Sequence, residues 1–143
     1  YTRFEYSGLA IAPEIGAMLG EVEVRCEVTN CGSREGEEVV QLYLHDVLAS
    51  LARPVLELKG FQRVRLQAGE SCQVFFKLNT AQLGFYNLSL DYVVEPGVFE
   101  VLVGSSSADI RLRGRFELSG ETTRPPQKIF FSKSFCHTTL PKG

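Results

Sequence analysis

Tryptophan is missing from this chain, histidine occurs only twice and methionine once. The first two shortages narrow the classes of function. Sugar-gripping modules stack their ligands on exposed aromatic faces, of which tryptophan offers the largest, so only tyrosine and phenylalanine remain for that role. His45 and His137 are far apart in sequence, which supports neither a histidine metal site nor a nucleophile activated by a placed histidine. No G-x-S-x-G elbow occurs. None of the four cysteines forms a C-x-x-C pair, which disfavours a zinc knuckle or redox motif. No apolar run approaches the ~18–20 residues of a membrane span, and no charged-then-apolar leader opens the chain. The formal net charge is -2, and no basic stripe is interleaved with aromatics. Neither nucleic acid, membrane, metal nor cofactor is expected as a partner.

What is present is ordinary globular material. The 143 residues are 44% hydrophobic and 22% charged, enough for one domain that buries roughly two-thirds of its unfolded surface. Tyr1 is not an initiator methionine, so a fragment or processed product is expected. Cys26 alternates with Val22, Val24 and Val28, and Cys72 with Val74, Phe76 and Leu78. Both read as small apolar core residues. Cys31 and Cys136 complete the set; free thiols are expected, with a lean toward a reducing compartment.

Period-2 patterning dominates. Glu21 to Thr29 alternates cleanly, and Glu38 to His45 is more continuously apolar, as for a strand covered on both faces. Leu56 to Leu66 puts Leu56, Leu58, Val64 and Leu66 in phase, with Phe61 out of step beside Gly60, which predicts a bulge. Ser71 to Leu78, Val98 to Val103 and Ile110 to Leu118 follow, the last with Arg111, Arg113 and Arg115 outward. Turns are predicted at Asn30-Cys31-Gly32-Ser33, Ala68-Gly69-Glu70, Glu95-Pro96-Gly97 and Gly104-Ser105-Ser106. Asn79 to Leu83 fits one helical turn. Short strands at this spacing predict an all-β, immunoglobulin-like Greek-key sandwich.

Catalytic candidates are weak. Glycoside hydrolysis needs two carboxyls ~5–10 Å apart across a sugar; Asp46, Glu57, Asp91, Glu95 and Asp109 each sit at a turn or strand end, where solubility and local hydrogen bonds explain them. His45 reads as a half-buried histidine near a loop. Phe85-Tyr86 and Tyr92 are candidates for a small sugar platform, so Tyr86 and Tyr92 are candidate sugar contacts, although such residues more often cap the core. Asn87-Leu88-Ser89 is a formal glycosylation sequon. The connection Asp46 to Val55 is long for a sandwich. Within and after it, Pro54 stiffens the backbone, Arg53 offers bidentate contact to a carboxylate, and Lys59-Gly60-Phe61 places an aromatic at the bulge. Gln41 and Tyr43 lie on the strand face opposite Val40 and Leu42. Arg53 has a plainer use as well, pinning its own loop.

Several separated blocks agree in order with one family. Gly36-Glu37-Glu38-Val39-Val40-Gln41-Leu42-Tyr43-Leu44 is followed by Arg53-Pro54 and Glu57-Leu58-Lys59-Gly60-Phe61. Then come Val94-Glu95-Pro96-Gly97, Val101-Leu102-Val103-Gly104 and Ser106-Ser107-Ala108-Asp109-Ile110-Arg111-Leu112. Over about Phe4 to Leu118 the chain resembles the C-terminal fibronectin type III-like domain of family 3 glycoside hydrolases, the β-glucosidases and β-xylosidases. Cys31 stands where a small polar residue is usual in the family. The resemblance implies a fibronectin type III-like domain over 1–121; the extension over 122–143 has no counterpart in it, and its apolar residues (Ile129, Phe130, Phe131, Phe135 and Leu140) predict that it docks or stays partly flexible. The resemblance also implies a non-catalytic, structural role, packing on the catalytic domains of a retaining β-glycosidase whose nucleophile and acid/base lie elsewhere. The interface expected from it and from the residues comprises Gln41, Tyr43, Arg53, Pro54, Lys59 and Phe61, with self-association left open. A carbohydrate- or polymer-binding module is the alternative.

Overall fold

The computed structural model describes residues 3–47, 56–126, 128–129 and 131–139. Its strands are β1 (Phe4–Ala12), β2 (Ile15–Ala17), β3 (Glu21–Asn30), β4 (Gly36–Asp46), β5 (Glu57–Leu66) and β6 (Ser71–Asn79). A 3-10 turn (Thr80–Leu83) leads to β7 (Phe85–Tyr86), β8 (Tyr92–Val93), β9 (Gly97–Ser106), β10 (Asp109–Ser119) and β11 (Lys133–Thr139). One sheet has the order β1-β3-β6-β11, the other β2-β10-β9-β4-β5, and β7-β8 form a small ribbon. This is the all-β sandwich that the alternation predicts.

The alternating residues meet between the sheets. Val22, Val24, Cys26 and Val28 of β3, with Cys72, Val74, Phe76 and Leu78 of β6, belong to one buried cluster with Val40, Leu42 and Leu44 of β4 and Phe99, Val101 and Val103 of β9. The Phe99 and Phe116 rings stack with centroids 5.4 Å apart. At ~25 cal/mol per Å2 of apolar surface removed from water, this burial is the main drive to fold.

Asn30 closes one pole of the sandwich. It is fully buried, and its Nδ2 donates to the carbonyls of Arg34 (2.8 Å) and Leu66 (2.9 Å) while its Oδ1 accepts the Gly32 N–H. Phe4 pairs with Asn30 there, whereas Ala12 pairs with Glu23 near the opposite pole. The 3-10 turn is capped by Asn79, with Gln82 completing the reciprocal pair of bonds. It follows β6 at that second pole, and the β7–β8 ribbon follows the turn.

The structure departs from the pattern in three places. Gly104 to Ser106 are the last residues of β9, and the turn falls at 107–108. A Cβ on Gly104 would lie 2.1 Å from the Asp109 carbonyl oxygen, so the glycine there serves close strand approach. The bulge of β5 is real, but its extra residue is Lys59: Leu42 pairs with Gly60 and Tyr43 with Leu58. That insertion inverts the phase, so Leu58 is 39% exposed, outside the core where simple alternation puts it. Finally, β1, β2 and β11 carry no clean alternation. Pairing alone identifies them: β1 with β3, β2 parallel to β10, and β11 with β6.

Candidate interaction surface

The outer face of the five-stranded sheet gathers three of the six expected interface residues, Gln41, Tyr43 and Phe61. Gln41 pairs with Phe61 on β5 and with Gly104 on β9; Tyr43 pairs with Leu58 and Leu102. Directly opposed residues share a sheet face, so Gln41, Tyr43, Leu58, Phe61 and Leu102 lie together. Tyr43 and Leu102 are buried, while Leu58 and Phe61 are open, Phe61 at 54%. The Tyr43 hydroxyl donates to Gln41 Oε1, and Gln41 Nε2 donates to the Ser105 carbonyl at 3.0 Å. Gln41 and Tyr43 are thus locked in place beside two exposed apolar side chains. Arg53 and Pro54 lie outside the described residues.

Lys59 is held apart from this face. Its side chain is mostly buried, and its ammonium reaches Glu57 Oε2 at 2.9 Å. Its carbonyl accepts from Gln82 Nε2 (3.1 Å) and from the Ser132 N–H (2.6 Å). The neighbouring Gly60 packs against Phe76 and Ser132, each 3.1 Å from where a Cβ would stand. Lys59 therefore shapes the bulge that sets the direction of Phe61.

The C-terminal residues extend the surface. Phe131 meets Phe61 edge-to-face at 6.2 Å and is itself 54% exposed. The Ser134 hydroxyl lies 2.8 Å from the Phe61 carbonyl, to which it donates, and 2.8 Å from Gln62 Oε1. On the other sheet's outer face, Phe135 stacks on Phe75 at 4.7 Å. At the β2 end of the five-stranded sheet, an open groove of about 710 Å3 is lined by Leu9, Ile11, Ile15, Val98, Arg113 and Arg115 among others.

The other candidates are local. Tyr86 and Tyr92 meet edge-to-face at 5.4 Å, and the Lys128 ammonium sits 4.4 Å from the Tyr86 ring centre. Tyr92 also donates from its hydroxyl to the Ala81 carbonyl. Tyr92 thus braces its own fold, while Tyr86, beside the Lys128 ammonium, stays 49% exposed. Asp91 pairs with Arg124 at 2.8 Å. Asp109 accepts from Arg111 Nε (2.7 Å) and Ser105 Oγ (2.5 Å), which hold its carboxyl down at about 2. His45 Nδ1 lies 3.5 Å from Glu100 Oε1. Among the described residues no group of three His, Cys, Asp or Glu is placed to hold a metal ion. Leu58, Leu102, Gln82 and Lys128 escaped the sequence pattern. Only the phase break at Gly60 pointed to any of them, because the rest depend on partners distant in sequence.

Comparison with known proteins agrees with this architecture. Residues 38–107 match the fibronectin type III-like domain model. The chain is 42% identical over 118 residues to a periplasmic β-glucosidase of Salmonella typhimurium, covering 82% of this chain and 15% of that protein. It is 44% identical over 107 residues to a β-xylosidase of Formosa agariphila, covering 75% of this chain and 15% of that protein. The crystal structure of a β-glucosidase from Listeria innocua in complex with glucose superposes with a TM-score of 0.77 at 41% identity, covering 85% of this chain and 16% of that one. β-Glucosidase 3B from Thermotoga neapolitana superposes with a TM-score of 0.78 at 35% identity, covering 87% and 17%. The chain thus spans about one-sixth of the length of these relatives.

Proposed function

We propose, on the premise that this chain is a fibronectin type III-like domain of the kind carried by family 3 β-glycosidases, that it is a non-catalytic accessory domain of such an enzyme. It packs on the catalytic domains of a polypeptide that hydrolyses terminal β-linked glucose or xylose. The observation that carries this reading is a high identity confined to one-sixth of enzymes named β-glucosidase and β-xylosidase. The outer sheet face supports it. Gln41 and Tyr43 are rigidly bonded there, and Leu58, Phe61 and Phe131 present adjoining apolar surface, the usual make-up of an interface core. Arg53 and Pro54 remain part of the proposed interface on their chemistry, with Arg53 pairing a carboxylate on the catalytic body.

Two measurements test the reading. Chromogenic β-glucoside and β-xyloside are offered to this chain and to the full-length polypeptide; turnover is expected from the latter alone, and turnover by this chain overturns the accessory role. Co-purification with the separately expressed remainder is then compared for wild type, Phe61→Ser and Arg53→Ala. Both substitutions are expected to weaken capture at least fivefold without unfolding this domain, and undiminished capture removes the interface assigned to this face.

A further inference from the structure

The tip of the β7–β8 ribbon carries two leucines with almost no cover. Leu88 is 87% and Leu90 81% exposed. Leu90 also sits at φ 63°, a left-handed conformation that is unfavourable for a residue with a branched side chain and natural to glycine or asparagine. The left-handed backbone costs the isolated domain stability, and strain of this kind marks places where another contact sets the requirement.

The tip is also firmly built. Asn87 Oδ1 accepts the N–H groups of Ser89 and Asp91, each at 3.0 Å. The Asn87 N–H donates to the Asp91 carbonyl, and the Leu90 N–H to the Asn87 carbonyl, each at 2.9 Å. Below it, Arg124 pairs with Asp91 and Lys128 lies over Tyr86. Gly84 admits the Tyr92 ring where a Cβ would stand 2.5 Å from it. An apolar knob held this rigidly loses little entropy on docking.

We infer that Leu88 and Leu90 form a docking knob that inserts into an apolar recess on the catalytic body of the same polypeptide. This inference rests on the accessory-domain reading. Two leucines fall far short of the roughly 800 Å2 per partner that a stable free interface buries, which argues against a second copy as the occupant. A covalently joined body is a different case, because the tether supplies a high effective concentration and a small contact suffices. The body is also large enough, since the matched part is 15–17% of the relatives. Position makes the contact specific. The knob lies at the pole opposite Phe4, about 30 Å away along strands of nine to eleven residues. The catalytic body therefore contacts the domain at two places, the outer sheet face and the ribbon tip, joined through the corner where Gln82 reaches the Lys59 carbonyl.

Side-chain hydroxyl-radical footprinting tests this, reading Leu88, Leu90 and Phe61 in this chain alone and in the full-length polypeptide. Expected is at least fivefold slower modification of all three in the full-length protein, independent of concentration. The variant Leu88→Ser/Leu90→Asn should leave the melting temperature of this chain unchanged or raised, because asparagine tolerates the left-handed backbone, and should return Phe61 part-way to its free rate in the full-length protein. Open leucines beside a shielded Phe61 overturn the knob and leave the accessory reading standing. All three open overturns both. Shielding of the leucines that appears only as concentration rises assigns the tip to a second copy and overturns the inference.

Discussion

The side-chain amide of Gln82 and the backbone carbonyl of Lys59 join the two sheets at one corner, with Nε2 donating at 3.1 Å. The same amide accepts the Asn79 N–H at 3.0 Å and lies 3.3 Å from the Ser132 hydroxyl. Gln82 is 1% exposed, so these bonds form away from water, where losing one partner exposes the other to the full cost of desolvation. One residue thereby couples the end of β6, the β5 bulge and the C-terminal segment.

Gln82→Ala should destabilise the chain by about 2–3 kcal/mol, since the Asn79 N–H loses its acceptor and the Lys59 carbonyl one of its two donors. Thermal unfolding should shift down by roughly 10 °C for a domain of this size. The substitution should also speed amide exchange at Ser132. A shift below about 2 °C would mean the corner holds without the amide.

Two glycines should respond in opposite ways to alanine. Gly104→Ala places a methyl 2.1 Å from the Asp109 carbonyl, which forces backbone movement in β9 and β10 and should cost on the order of 3 kcal/mol. Nothing lies within 4 Å of a Cβ on Gly20, so Gly20→Ala should stay within about 0.5 kcal/mol. Urea titrations of the two variants, with equal midpoints as the contrary result, decide the matter.

Asp109 supplies an acid-sensitive contribution. Hydrogen bonds from Arg111 and Ser105 lower its carboxyl from 3.8 to about 2 in the folded chain. A depressed folded pKa adds stability above the unfolded value, and that stability is lost as pH falls from about 4 toward 2. Asp109→Asn should flatten the pH dependence across that window. Added salt should weaken the wild-type effect, because the pair is exposed. An identical pH slope in the variant would remove Asp109 from the account.

The thiols should separate by burial. Burial pushes Cys26 and Cys72 up to about 12, which leaves almost no thiolate at pH 8. Cys136 is exposed and Cys31 half-buried. Brief alkylation of the native chain followed by peptide mass spectrometry should label Cys136 first and Cys31 next, with Cys26 and Cys72 reacting only on unfolding. Rapid native labelling of Cys26 would contradict its place in the core.

How much was legible varies by element. β3 and β6 were readable residue by residue, because one face is wet and the other dry, and burial then enforces period 2 on the sequence. β11 was not, since its residues are mostly exposed and its existence rests on backbone pairing with β6, to which side-chain hydropathy contributes little. The surface divides the same way. Gln41 and Tyr43 could be placed opposite Val40 and Leu42 from alternation alone, whereas Leu58 could not be, because Lys59 shifts the register by one.

The sequence alone determined the all-β class, the core faces and the family resemblance, since local alternation and ordered short blocks are properties of neighbouring residues. Tertiary structure decided which side chains share a surface. Gln82 reaches Lys59 and Phe131 reaches Phe61 across long stretches of chain; Leu90 takes its left-handed turn inside a loop closed by Asn87 and Asp91. Such contacts depend on how strands are ordered and bulged in space, and hydropathy along the chain does not encode that order.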